Sequence, residues 1–138
     1  MIEVFDKIFT VHQEHIDQNN HLNNVVYIQW MQDIAVMHSE ALGWGYQEYK
    51  AKGCSWVVKS HQIKYFRAAA VGDQVIIKTW LEKIKNCSCI RKYAFYNNKS
   101  EIIATAETLW IFISINTGRP VIVLPEIRNS FSEVDIKI

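Results

Sequence analysis

Residues 17–27, Asp17-Gln18-Asn19-Asn20-His21-Leu22-Asn23-Asn24-Val25-Val26-Tyr27, place a carboxylate, an imidazole and four asparagines directly before an apolar helical pattern. A carboxylate can attack a carbonyl carbon or take a proton from water, and an imidazole moves protons near neutral pH. The amides of a first helical turn can receive developing negative charge. Together these groups suit attack on a carbonyl. Taken singly, Asp and Asn are good turn formers and helix caps; the signal is their joint occurrence with His21 at a helix start.

Other chemistry-bearing groups carry less. His12, His15, Asp17 and His21 have a spacing that invites a metal. The order is not His-Glu-x-x-His, however, and a strand-to-loop path scatters the side-chain directions, so no metal is expected. Cys54, Cys87 and Cys89 form an odd, sparse set without a disulfide framework, and Cys87-Ser88-Cys89 is not a CxxC pair; they read as strand cysteines. Lys59, Lys64, Arg67, Arg91 and Lys92 are available to meet phosphates, but no phosphate-cradling glycine loop accompanies them, so they read as solvated strand-edge charges.

The elements that must position residues 17–27 follow from periodicity. Val4 to His12 fits an opening strand. From Asn24 to Leu42, Tyr27, Met31, Ile34, Ala35, Ala41 and Leu42 recur at three- and four-residue steps, which predicts one long helix. Asn23 or Asn24 can cap it, and Gly43 with Gly45 can end it. Tyr27, Trp30 and His38 fall on this helix, where such side chains pack first. Beyond residue 53, Trp56 to Phe66, Gln74 to Lys85, Ser88 to Tyr96 and Glu101 to Asn116 are rich in β-branched and aromatic residues and read as strands. The breaks at Val71-Gly72-Asp73, Lys85-Asn86 and Asn97 to Ser100 predict consecutive hairpins.

On the last strand Ala104, Ala106 and Thr108 share one face, small enough to admit a helix closely. Ile103, Thr105, Leu109, Ile111, Ile113 and Ile115 line the other. One helix covers only one face, so a second subunit is expected on the other. Thr117-Gly118-Arg119-Pro120 closes the sheet region, and Pro125 to Phe131 can form a short terminal helix. The pattern is an α+β fold with a helix laid across an antiparallel sheet.

The motif Asp17-x-Asn19-x-His21-x-Asn23-Asn24-x-x-Tyr27-x-x-Trp30, with Tyr65-Phe66-Arg67-Ala68-Ala69 and Val71-Gly72-Asp73, resembles the hotdog-fold thioesterases over nearly the whole chain. It is closest to acyl-CoA thioesterases of the 4-hydroxybenzoyl-CoA type, and Asn19-x-His21-x-Asn23-Asn24 also looks like the acyl-acyl-carrier-protein thioesterases. The resemblance implies a sheet wrapped around the helix, subunits paired edge to edge, and a thioester bound at the subunit boundary. It places the family's acid on Asp17 and the oxyanion-facing amide on Asn24. The carrier-protein branch's Asn and His fall on Asn19 and His21, and Tyr27, core or pocket wall by its spacing, is the candidate substrate-binding residue. No cofactor is implied. Hotdog hydratases carry an Asp-x-Asn-Pro-x-His pattern, from which this chain departs at position 20, and a non-catalytic acyl-thioester-binding module is the remaining rival.

Composition sets the frame. With 138 residues, 49% of them hydrophobic and 21% charged, the chain is expected to be one domain with a genuine core. The formal net charge of +1 provides no broad field for nucleic acid or anionic membrane. Charges at Glu3, Asp6 and Lys7 interrupt any secretory signal, so a cytoplasmic protein is expected, working as a dimer or tetramer on acyl-CoA or acyl-carrier protein.

Overall fold

The computed structural model describes residues 3–138. Strand β1 spans Phe5–Thr10 and is followed by a 3-10 turn at Gln13–His15. Helix α1 runs Asn24–Ala41, and a short helix α2 occupies Tyr46–Ala51. Strands β2 (Cys54–Tyr65), β3 (Gln74–Ile84), β4 (Ser88–Tyr96) and β5 (Ile102–Ser114) come next, and helix α3 covers Pro125–Ser130. All five strands join one antiparallel sheet in the order β1-β3-β4-β5-β2.

The long helix forms as its periodicity dictates, with Asn23 as the cap and Gly43 at φ +90° just past its end, a left-handed turn that glycine adopts without steric cost. Gly45 instead caps α2, a helix whose six residues offer too little periodicity to be read in the sequence. Met31 and Ile34 on α1 are fully buried against Ile77, Phe95 and Ala104 of the sheet. Each such aliphatic side chain contributes about 1.5–3 kcal/mol when removed from water. A second apolar cluster at the other end of the molecule gathers Leu81, Cys89 and Phe112 with Ile127 and Phe131.

Two expectations are corrected. Val71-Gly72-Asp73 is not a hairpin turn: β2 pairs with β5, and β3 pairs with β1 and β4. Phe66 and Arg67 both donate to Ile103 O, which holds the end of β2 on β5, while Gly72 N bonds Val11 O and Val11 N bonds Asp73 O. Residues 66–73 are thereby pinned as a crossover between the sheet's two edges. Ile103, expected on the outer face, is 1% exposed within the core. Phe95 pairs with Ala104 and Tyr96 with Ile102, so Ile103 is the extra residue of a bulge that turns it inward. Ala104, Ala106 and Thr108 do face the helix side, buried as their small size requires.

The other face of β5 keeps Leu109, Ile111 and Ile113 half-buried, crossed at Glu107 by an ion pair to Lys92. The C-terminal segment continues the β1 edge of β3, with Val134 N donating to Leu81 O at 2.8 Å. No helix among the described residues is long and apolar enough to cross a membrane.

Candidate active site

Between the 3-10 turn and α1, Ile16 and Leu22 pair as an isolated antiparallel bridge, so residues 17–21 form a closed tip. Asp17 N donates to His21 O at 2.8 Å and Asn20 N to Asp17 O at 3.0 Å. Asn20 turns the chain with φ 63°, a left-handed conformation that Asn tolerates better than most residues. The tip is fastened to the body: Leu22 N bonds Ala69 O at 2.7 Å and Asn23 N bonds His15 O at 2.9 Å.

Inside this loop Asp17 Oδ1 accepts the backbone N–H of Asn19 at 2.9 Å and of His21 at 3.2 Å. Backbone donors to an ionised oxygen are strong hydrogen bonds, and they fix the carboxylate's orientation. Its other oxygen, Oδ2, has no hydrogen bond among the described residues.

At the helix start Asn23 adopts an extended conformation, and its Oδ1 accepts Val25 N–H at 3.0 Å. Val26 N–H goes to Asn23 O at 2.9 Å. Asn24 N–H is left without an acceptor among the described residues, at the positive end of an 18-residue helix. A free first-turn amide at that end is a ready contact for a developing oxyanion.

Asp17 is half-buried, whereas Asn19, His21 and Asn24 are solvent-exposed. Asn19 and His21 reach the carboxylate through their backbone amides. Tyr27 is 2% exposed, edge-on to Tyr65 and Phe95 at ring separations of 5.0 and 5.1 Å. Burial, aided by Tyr65, pushes its hydroxyl up to about 12, so the phenol stays neutral. Trp30 packs on Phe9 and His15. His12 N donates to His15 Nδ1 at 2.9 Å, and no group of His, Cys, Asp and Glu among the described residues is arranged to hold a metal.

Among the basic residues, Lys92 pairs with Glu107 at 3.0 Å and Glu82 at 3.6 Å, and Arg67 with Glu101 at 3.3 Å. Lys59 and Lys64 are exposed on β2. Arg91 departs from the expected solvated edge charge, being only 4% exposed. It shares the inward phase of β4 with Cys89, Tyr93 and Phe95, a signal already present in the alternation of that strand. Arg91 Nη1 donates to Thr79 Oγ1 at 3.1 Å and lies 2.9 Å from His38 Nδ1. It borders a cavity of about 310 Å³ between the C-terminal half of α1, α2 and the sheet, which the sequence did not disclose.

A family model described as the acyl-ACP thioesterase N-terminal domain matches residues 2–131. A Bacillus subtilis protein provisionally named an acyl-CoA thioesterase is 22% identical over 120 residues, 87% of each chain. A DHNA-CoA thioesterase from Staphylococcus aureus superposes with a TM-score of 0.85 at 20% identity, over 94% of this chain and 89% of that one. An acyl-ACP thioesterase from Bacteroides thetaiotaomicron gives 0.82 at 21% identity over 87% of this chain, which spans about half (49%) of that longer protein. At these identities the superpositions establish the shared fold.

Proposed function

The chain belongs to the acyl-ACP thioesterase family, and from that premise we propose that it hydrolyses an acyl thioester of coenzyme A or acyl-carrier protein, with Asp17 as nucleophile or general base and the Asn24 amide polarising the carbonyl. The observation that carries this reading is the pairing of a carboxylate oriented through one oxygen with a first-turn N–H left free by the Asn23 cap.

With the thioester oxygen on Asn24 N–H, the carbonyl carbon becomes open to Asp17 Oδ2 or to a water held on it. In the first route the carboxylate bonds to the carbon and the thiolate leaves, giving an acyl anhydride that water then splits to the free acid and Asp17. In the second, Asp17 takes a proton from the attacking water as its oxygen bonds to the carbon; the C–S bond then breaks and Asp17 returns that proton to the departing sulfur, which leaves as the thiol. Asn19 and His21 act as positioning residues through their amides, and Tyr27 forms an apolar wall behind the helix start.

Residues 1–138 work in this reading as one hotdog domain that pairs with a second copy. Strand β2 lies at the sheet edge and exposes Val57, Val58 and Tyr65 along its length, an edge suited to pairing with its counterpart.

The test is Asp17→Asn assayed by thiol release over short, long and aromatic acyl-CoAs. Loss of an essential acid or base lowers the rate by about 10²–10⁴-fold. Hydrolysis surviving within a few fold of the parent removes Asp17 from the reaction. The same assay with crotonyl-CoA separates hydrolysis from hydration, which bleaches the enoyl absorbance and releases no thiol.

A further inference from the structure

The cavity beside Arg91 has an apolar wall and one charge at depth. Val36 and Tyr46, 47% and 71% exposed, stand at its mouth, while Leu81, Cys89 and Arg91, each under 5% exposed, form its floor. Most of the polar atoms in the wall already have partners. Ser39 Oγ donates to Trp44 O at 2.6 Å and lies 3.0 Å from the Tyr49 hydroxyl, which also accepts Trp56 Nε1 at 3.1 Å. Trp44 Nε1 donates to Ser130 Oγ at 2.9 Å.

Arg91 differs. Both of its hydrogen bonds among the described residues leave from Nη1, toward His38 Nδ1 and Thr79 Oγ1. An Nδ1 that accepts from a guanidinium belongs to a neutral imidazole. No carboxylate among the described residues forms an ion pair with Arg91, and the acidic groups that act on its charge are two phenols and a thiol, those of Tyr93, Tyr49 and Cys89. Burial pushes the Cys89 thiol up to about 12 and raises the Tyr93 and Tyr49 hydroxyls, so all three are neutral at physiological pH. A buried cation without a counter-charge carries a large desolvation cost, which a ligand anion would offset.

We propose that this cavity is a carboxylate-binding site: Arg91, with Nε and Nη2 still available, holds the carboxylate of an acid whose apolar body lies against the tryptophans above it. Its volume of about 310 Å³ suits a medium-chain or aryl acid. Two sources share this chemistry. One is the free acid that hydrolysis releases. The other is a far carboxylate on the acyl group itself, since α1 leads from Asn24 to Gln32 and Val36 at the cavity, about 12–18 Å at 1.5 Å per residue. The second source rests on the thioesterase reading above; the binding site does not.

Calorimetric titration of the wild-type protein with octanoate and 4-phenylbutyrate, against octan-1-ol and 4-phenylbutan-1-ol, decides the charge requirement without any turnover. The acids are expected to bind at least about tenfold more tightly, as a charge-assisted contact should provide. Equal or tighter binding of the alcohols overturns the proposal. Arg91→Met should erase the acids' advantage, and an advantage that persists places the anion elsewhere and also overturns it. Should that variant not fold, the side-chain Nε–H resonance of Arg91 in the wild-type protein provides the same decision: it moves with octanoate and not with octan-1-ol, and a resonance that stays still overturns the assignment. Thiol release from ω-carboxyacyl-CoAs and their unsubstituted counterparts then separates the sources. A tenfold higher kcat/KM for the carboxylated series puts the anion on the substrate, while equal rates with inhibition by octanoate put it on the released acid.

Discussion

Asp17 Oδ1 accepts the backbone N–H of His21 at 3.2 Å while His21 itself is solvent-exposed. The residue's hold on the carboxylate is thus independent of its ring. His21→Ala keeps the N–H and should keep kcat/KM within a few fold, measured by thiol release. A fall of about 100-fold or more would instead assign the imidazole to proton transfer, since that is the usual scale for a lost acid or base.

Packing at the helix–sheet contact yields a prediction about stability. Ala104 is 0% exposed in the cluster that includes Tyr27, Met31 and Ile34. Ala104→Leu adds volume where there is no space and should cost about 1–3 kcal/mol, the typical cost of overpacking a well-filled core. Urea unfolding reads it as a lower midpoint at unchanged slope. An unchanged midpoint would mean that the helix does not sit as closely on β5 as the small residues imply.

What the sequence disclosed and what it hid divide along the range of the interactions involved. The cap at Asn23, the helix through Ile34 and His38, and the strands around Tyr93 and Leu109 depend on near neighbours, and periodicity carries them. The pairing of His61 with Thr108 and of Ile63 with Ala106 joins segments more than forty residues apart, and no local turn signal encodes it. Arg91 departs from expectation for a different reason: its charge alone suggests a solvated edge, whereas its phase with Tyr93 and Phe95 turns it inward. For the candidate site, the loop from Asp17 to Asn24 was legible as a motif. That its amides, more than its side chains, organise the carboxylate follows only from hydrogen-bond geometry.

The pairing of His61 with Thr108 also carries a pH dependence. Its Nδ1 lies 2.8 Å from Thr108 Oγ1, and partial burial lowers its pKa below the ordinary 6.5. The folded state therefore binds fewer protons than the unfolded state across that interval. The stability this provides is fully present above about pH 6.5 and is lost as pH falls through the depressed folded value. Thermal melts of the wild type should show Tm declining in this mildly acidic window. His61→Gln, which keeps a hydrogen-bonding side chain and has no titration there, should show a smaller decline. Parallel declines in the two proteins would exclude His61 as the source.

The role of the Asn24 amide can be isolated because its place in the helix tolerates proline. Asn24 is the first residue of α1, where a backbone N–H has no intrahelical acceptor and the fixed φ of proline suits the helix. The preceding residue must then be extended, and Asn23 already has φ −68° and ψ 138°. Asn24→Pro therefore removes the N–H proposed to meet the thioester oxygen while leaving the fold intact. Asn24→Ala removes the side chain and keeps the N–H. Loss of a single oxyanion donor costs about 10²–10³-fold in kcat, so the proline variant should fall by that amount at near-parental Tm. The alanine variant should stay within a few fold. Full activity in a folded Asn24→Pro protein would remove this amide from catalysis and leave Asp17 to be tested with another oxyanion contact.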